Sequence, residues 1–321
     1  MIRALVAILL VLGGAPGAWA QPPTRSYRIG WLAPAANPDN VQALRDGLRA
    51  LGYTDAVQVV IDSRYPGSGP AQLAGAAAEL LRMRPDVIVT DGGAASLAVK
   101  RATTSVPVVF VSGDPVRSGL VPNLARPGGN LTGFAVVGSE LNVKRLELLR
   151  EALPRLARVG VIYEPWQERT MVPPLEADAH ARGLHVTRLA VRSADDLDQA
   201  FLAAVRDRVG AVMPVASALF HAEKERFVTL AARHRLPTMY ENHVFAEAGG
   251  LMSYGPDVQE IFRRAAAQVD RILKGAKPAD LPIEQPTKFR LVLNLDTART
   301  LGVTLPPSLL LRADQVIDGR R

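Results

Sequence analysis

No cysteine occurs anywhere in the 321 residues. That excludes disulfides and thiol chemistry, and with them a lipid-modified amino-terminal cysteine. Aromatic residues are sparse at 5%, so the three Trp and six Tyr either serve contacts beyond core filling or simply pack. Long apolar runs are missing too. The one short run, Ala4 to Leu12, follows Arg3 and precedes Ala18-Trp19-Ala20, a small-x-small pattern ahead of Gln21. It is too short to span a membrane and reads as a secretory signal over residues 1–20. The expected mature protein is soluble and resides in a bacterial periplasm. Runs of like charge are absent as well. The formal charge of +7 falls to +6 when Arg3 leaves with the signal. That excess is scattered, without aromatic interleaving, so no nucleic-acid partner is expected.

Catalytic signatures are also lacking. Gly67-Ser-Gly69 is followed by Gln72 where a dinucleotide fingerprint needs a third glycine. There is no GxSxG elbow and no phosphate loop. The five histidines (His180, His185, His221, His234, His243) show no metal-ligand spacing and read as surface or core positions. No nucleophile–base constellation stands out. The expectation is a protein with no catalytic residues, no metal and no cofactor.

What is present is a regular alternation of strand and helix. Strands are expected at Tyr27–Leu32, Val57–Ser63, Val87–Thr90 and Val108–Val111, with helices at Asn40–Leu51, Pro70–Met83 and Ala95–Thr103 between them. Such repeated units imply a parallel, doubly wound sheet. After residue 139 the scheme restarts. Helices at Ser139–Ala152, Val172–Arg182, Leu197–Arg206 and Ala222–His234 alternate with strands at Arg158–Tyr163, His185–Ala190, Val209–Val215 and Thr238–Tyr240. Ser193-Ala-Asp-Asp196 has the form of a capping box. A helix at Val258–Lys274, a strand at Phe289–Asn294 and a short helix at Thr297–Leu301 are too few for a third domain. They read as late returns, one to each lobe. The expected organisation is α/β, two doubly wound parallel-sheet lobes, with 27–134 plus 247–283 in lobe 1 and 135–246 plus 284–321 in lobe 2. Gly129–Ser139, Met252–Asp257 and Glu284–Lys288 would be the three crossovers, and Asn130-Leu-Thr-Gly a turn.

Four stretches carry a resemblance: DPVRSGLVPNLARPGGNLTG at 114–133, AGGLMSYGPD at 248–257, ILKGAKPADLPIEQPTKFRLVLNLDTARTLGV at 272–303, and the closing LPPSLLLRADQVID. With them the chain resembles the tryptophan/tyrosine-binding substrate-binding proteins of bacterial ABC transporters, a branch of the type I periplasmic binding proteins. The resemblance covers residues 27–318 and implies two lobes that close on a ligand held between them. It also implies an ABC permease in the inner membrane as partner. The sequence departs from the family where specificity is set. Gly93-Ala94 stands in place of a Thr-Pro or Ser-Pro pair, and Tyr163-Glu-Pro-Trp166 in place of Asn-Pro.

In open parallel sheets the ligand lies beyond the carboxyl ends of the strands, and the candidate residues are taken from there. In lobe 1 they are Ala35 and Asn37 after the first strand, Gly93, Ala94 and Ser96 after the third, and Ser112 and Asp114 after the fourth. Free amides at the helix start by Gly93 suit a carboxylate. Asn37 either touches ligand or caps its helix, and Asp114 either receives an ammonium or shapes the turn. In lobe 2 they are Glu164, Trp166, Ala216, Ser217, Tyr240 and Glu241, with Tyr254 facing the cleft or packing a hinge. Trp166 would stack on a ring, or else pack at the surface. The expected function is a monomeric, non-catalytic binder of a small-molecule ligand, an aromatic or other hydrophobic carboxylate or an amino acid. A periplasmic sensor that signals to a receptor or kinase is the alternative.

Overall fold

In the computed structural model, residues 26–319 are described, apart from 55–56, 68 and 137–138, with backbone alone at 139–140. The signal expected over residues 1–20 lies outside them. In chain order the first group of elements is β1 (Tyr27–Leu32), α1 (Pro38–Ala50), β2 (Val59–Arg64), α2 (Pro70–Arg82), β3 (Val87–Asp91), α3 (Gly93–Ala102), β4 (Val108–Gly113) and β5 (Leu131–Val136). The strands form a wholly parallel sheet in the order β2-β1-β3-β4-β5. Both faces are covered, as continuous apolar runs such as Val87–Val89 and Val108–Val111 require. On one face α2 and α3 bury Leu73, Leu80, Ala95 and Val99. On the other, α1 lies against the later helix α10 (Val258–Leu273). That helix presents Ile261, Phe262, Ala265, Ala266 and Val269 to the sheet at helical spacing. The Phe262 ring centroid lies 5.0 Å from that of Trp31. Asp257 caps the helix by accepting from Glu260 N at 3.0 Å.

The second group runs α4 (Ser139–Ala152), β6 (Arg158–Tyr163), α5 (Val172–Ala181), β7 (His185–Ala190), α6 (Asp196–Arg206), β8 (Ala211–Pro214), α7 (Ala218–Ala222), α8 (Lys224–Arg233), β9 (Met239–Tyr240), α9 (His243–Glu247) and β10 (Met252–Pro256). After α10 come β11 (Phe289–Asn294), α11 (Leu295–Leu301), α12 (Pro307–Arg312) and β12 (Gln315–Ile317). Here β7-β6-β8 is parallel, a bridge between Val212 and Thr238 leads on to β9, and β9 continues into β10, β11 and β12. Among the described residues, only the β10–β11 pair is antiparallel. One face is buried under α4, α5 and α12 (Leu149, Leu175, Leu309), the other under α6, α8 and α9 (Phe201, Phe227, Phe245). The molecule is therefore two doubly wound α/β lobes, as the alternation implied.

The chain passes between lobes three times: from Val136 to Ser139, at Pro256–Val258, and across 285–288. Three expectations need correction. Leu131–Val136 is a fifth strand of lobe 1 rather than a turn followed by a crossover. The strand at 252–256 hydrogen-bonds into lobe 2, so the division at 247 falls too early. The helix expected over Ala222–His234 forms as α8 from Lys224, and a short helix that was not expected, α7, precedes it and ends at Ala222. Half of the expected capping box forms, since Asp196 Oδ2 accepts from Ser193 N at 3.3 Å while Ser193 returns no side-chain cap. Before the third passage, residues 281–284 are bound to β5 through Ala135 N to Glu284 O and Thr132 Oγ1 to Leu281 O, both at 2.9 Å.

Candidate functional site

Both sheets put their switch point at the same place. In lobe 1 the order reverses between β1 and β3, and in lobe 2 between β6 and β8. Loops leaving adjacent strands there part company and open a crevice. In each lobe a side chain ties the two loops together. Asn40 at the start of α1 donates Nδ2 to Asp91 Oδ2 at 2.8 Å. In lobe 2, Ser217 Oγ donates to Glu164 Oε2 at 2.6 Å, and Gln167 Nε2 to the Ala216 carbonyl at 2.7 Å. The crevices face each other and enclose a chamber of about 120 Å³ lined from both lobes.

The lobes touch around this chamber. A methyl placed on Gly93 would stand 3.4 Å from the Trp166 ring, and one on Gly113 would stand 3.3 Å from the Met171 methyl. Trp166 and Met171 thereby form a partition. Beyond it lies a second chamber of about 300 Å³, walled by Leu73, Ala74, Leu97 and Ala98 and rimmed by Arg101, Asp114 and Arg117. Most of the wall area of both chambers is apolar, and the inner one also carries Asn40, Asp91, Arg145, Glu164, Ser217 and Glu241. Gly93, Ala94, Gly113, Trp166 and Met171 border both.

The inner chamber holds several charges away from water. Arg145, 2% exposed, projects from α4, donating Nη1 to Asn142 Oδ1 at 2.6 Å and Nε to the Tyr254 carbonyl at 2.7 Å. Burial pushes its guanidinium down to about 10, with Glu241 and Tyr254 pulling back upward. It remains a cation at neutral pH. Asp91 keeps some accessible surface, yet burial raises its carboxyl above the ordinary range, against the Asn40 hydrogen bond and the nearby His221. Glu241 is 4% exposed and neither of its oxygens accepts a hydrogen bond. His221 Nδ1 lies 3.4 Å from Glu241 Oε1, close enough for charge attraction but not aligned as a hydrogen bond.

Ten of the fourteen residues expected from the sequence line one chamber or the other: Asn37, Gly93, Ala94, Ser112, Asp114, Glu164, Trp166, Ala216, Ser217 and Glu241. Some of these already have structural work. Asn37 caps α1, accepting from Asn40 N at 3.4 Å, and Asp114 binds the Arg117 amide at 3.0 Å and its guanidinium at 3.2 Å. Four lie outside the lining. Ser96 is fully buried, sharing a 2.8 Å hydrogen bond with Thr90 Oγ1 and donating to the Gly92 carbonyl. Tyr240 is core, its ring stacked 4.7 Å from Phe245. Tyr254 packs against Phe289 at 6.0 Å and offers only its carbonyl, to Arg145. Ala35 does not line either chamber, whereas its neighbour Pro34 lines the inner one. His221, expected at the surface or in the core, lines the inner chamber instead. Asn40, Asp91, Asn142, Arg145 and Met171 were not singled out by sequence. Asp91 alone carried a signal, as the last residue of a strand that ends at the switch point.

Comparison with known proteins places the chain in a family. The family model for ABC transporter substrate binding proteins matches residues 34–317. A curated relative, the tyrosine-binding protein of Clostridioides difficile (strain R20291), is 23% identical over 286 residues, 87% of this chain and 82% of its own. Among solved structures, a conserved domain protein from Vibrio cholerae is 26% identical with a TM-score of 0.85. An ABC domain from Streptococcus pneumonia in complex with L-Trp is 27% identical with a TM-score of 0.82. Each covers 91% of this chain over the whole of its own length.

Proposed function

Because this chain belongs to the family of ABC transporter substrate binding proteins, we propose that it is the periplasmic receptor of an ABC importer. It would carry a small organic solute with an apolar or aromatic body, an amino acid or related carboxylate, between its lobes. The observation that carries this reading is the paired chamber: a mostly apolar pocket lined from both lobes and by Arg145, Glu164 and Glu241, sharing Trp166 with a second, mostly apolar pocket. The similar proteins that bind tyrosine and L-Trp support the solute class.

Capture works by differential affinity. A solute touching both lobes binds the closed arrangement more tightly than the open one, so binding shifts the population toward closure. The first turn of α3 at Gly93 and Ala94 directs free backbone amides at the chamber and suits a carboxylate oxygen. Trp166 supplies the apolar wall. The solute leaves unchanged, handed to the inner-membrane permease, and no residue acts as a catalyst. Secretion would follow cleavage after Ala20, so mass spectrometry of exported protein should find Gln21 at its amino terminus, and retention of Met1 would contradict this.

A thermal-shift screen over amino acids and hydrophobic carboxylates tests the reading directly. A solute at a hundredfold excess over its Kd should stabilise the fold by about 2.7 kcal/mol. No shift with any of these would overturn it.

A further inference from the structure

We propose that the solute carries a second carboxylate at the far end of its apolar body, and that Arg101, with Arg117 beside it, receives that group at the mouth of the outer chamber. This rests on the solute-binding reading above and narrows it, from hydrophobic carboxylates and amino acids in general to those with a distal acid.

Space sets the first condition. A dry protein cavity of roughly 150 Å³ is enough to take up benzene. The inner chamber, at about 120 Å³, is smaller than that and suits the head of a solute. The outer one, at about 300 Å³, takes a body larger than a single ring. It lies along the groove between α2 and α3. Leu73 and Ala74 border it from α2, and Ala94, Leu97, Ala98 and Arg101 from α3, the latter at the spacing of one helical face. Arg101 thus ends the stripe of α3 that begins beside Trp166. From Gly93 to Arg101 the helix axis rises roughly 12 Å, and helical side chains lean back toward the amino terminus. A body that starts at Trp166 and follows the groove therefore ends at the Arg101 guanidinium.

The lining decides what can lie there. Apart from charged groups, the polar side chains bordering the outer chamber are Ser118 and Thr170, and the Ser118 hydroxyl donates to the Pro115 carbonyl at 3.3 Å. A sugar, polyol or peptide would leave its own donors and acceptors unmatched against such walls, whereas an apolar body loses nothing. The charges bordering the chamber are two guanidiniums, Arg101 and Arg117, against one carboxylate, Asp114. Asp114 is already engaged by the Arg117 amide and guanidinium. Arg101 makes no hydrogen bond or ion pair among the described residues. A cation in the last turn of a helix is favoured there in its own right, but its neighbour Lys100 has another use, donating to the Gly119 carbonyl at 2.6 Å. Arg101 instead stands on the stripe that lines the chamber, with a free planar fork that matches a carboxylate in two parallel hydrogen bonds.

Matched pairs of solutes differing only in the distal acid test this. L-phenylalanine with 4-carboxy-L-phenylalanine, 2-aminooctanoate with 2-aminosuberate, and octanoate with suberate would be titrated calorimetrically into wild-type protein, Arg101→Gln and Lys100→Gln. Both substituted side chains are exposed, so the fold is not at stake. The expected result is that at least one diacid binds at least tenfold more tightly than its partner. That preference should be lost in Arg101→Gln and kept in Lys100→Gln. If the partner lacking the distal acid binds as tightly in every pair, the inference fails and the solute-binding reading stands. The same follows if Arg101→Gln keeps the preference, or if both variants lose it equally, which would make it a diffuse effect of positive charge. If none of these solutes binds while the thermal-shift screen finds another that does, the inference alone fails. If nothing binds in either experiment, both fail together.

Discussion

Trp166 is 36% exposed and rests against Gly93 across the cleft, so truncating it removes a wall of the site and little of the core. Burying an apolar ring is worth on the order of 1–3 kcal/mol. Trp166→Ala should therefore weaken solute binding roughly ten- to hundredfold, read by calorimetry, with the denaturation midpoint nearly unchanged. Asp91 gives a pH-dependent prediction. Its carboxyl is raised above the ordinary 3.8, so in the folded protein it holds its proton to higher pH than in the unfolded chain. Stability from that proton is present below 3.8 and is lost as pH rises through the folded value. Asp91→Asn should thus gain stability relative to wild type as pH rises, in urea denaturation of the unliganded protein. A stability difference between variant and wild type that stays flat or falls as pH rises would contradict this. Trp166 was legible in sequence because it is a large side chain just past a strand end. Arg145 was not, because its partners come from another turn of α4 and from the distant Tyr254, and a basic residue inside a helix carries no mark of burial.

At the scale of elements, the alternation of buried apolar runs and amphipathic helices placed most strands and helices, several to the residue, and missed β5, β10, β12, α7, α9 and α12. The fifth strand of lobe 1 was missed because Asn130-Leu-Thr-Gly133 has the composition of a turn. Gly133 serves another purpose there. Its φ of +149° is open to glycine, and a Cβ on it would lie 2.0 Å from the Phe110 carbonyl on β4. Glycine in that position marks close strand approach, which composition alone does not separate from a turn. Gly255 on β10 has the same use at the site itself. A Cβ there would stand 1.9 Å from the Glu241 carbonyl and 3.2 Å from Arg145 Nη2. Gly255→Ala should cost about 2–4 kcal/mol in chemical denaturation. By displacing Glu241 and Arg145 together, it should also weaken solute binding even where the fold survives.

At the scale of the whole molecule, two lobes were legible because the strand–helix pattern restarts after residue 139. The membership of residues 247–256 was not, because a strand beside a crossover pairs with whichever sheet is nearer in space. Sequence order does not show that, and the pairing with β9 and β11 decides it for lobe 2. Arg145 joins α4, which follows the first passage, to β10, which precedes the second. It lines the chamber as well, so the chamber and two of the passages between lobes share one side chain. The most direct test of a solute held between closing lobes is small-angle scattering during a calorimetric titration of the purified chain with L-tryptophan, L-tyrosine and L-leucine. One bound solute per chain, with a radius of gyration that contracts in step with occupancy, is the predicted result. No binding by any of the three, or binding that leaves the radius of gyration of an open population unchanged, would contradict it.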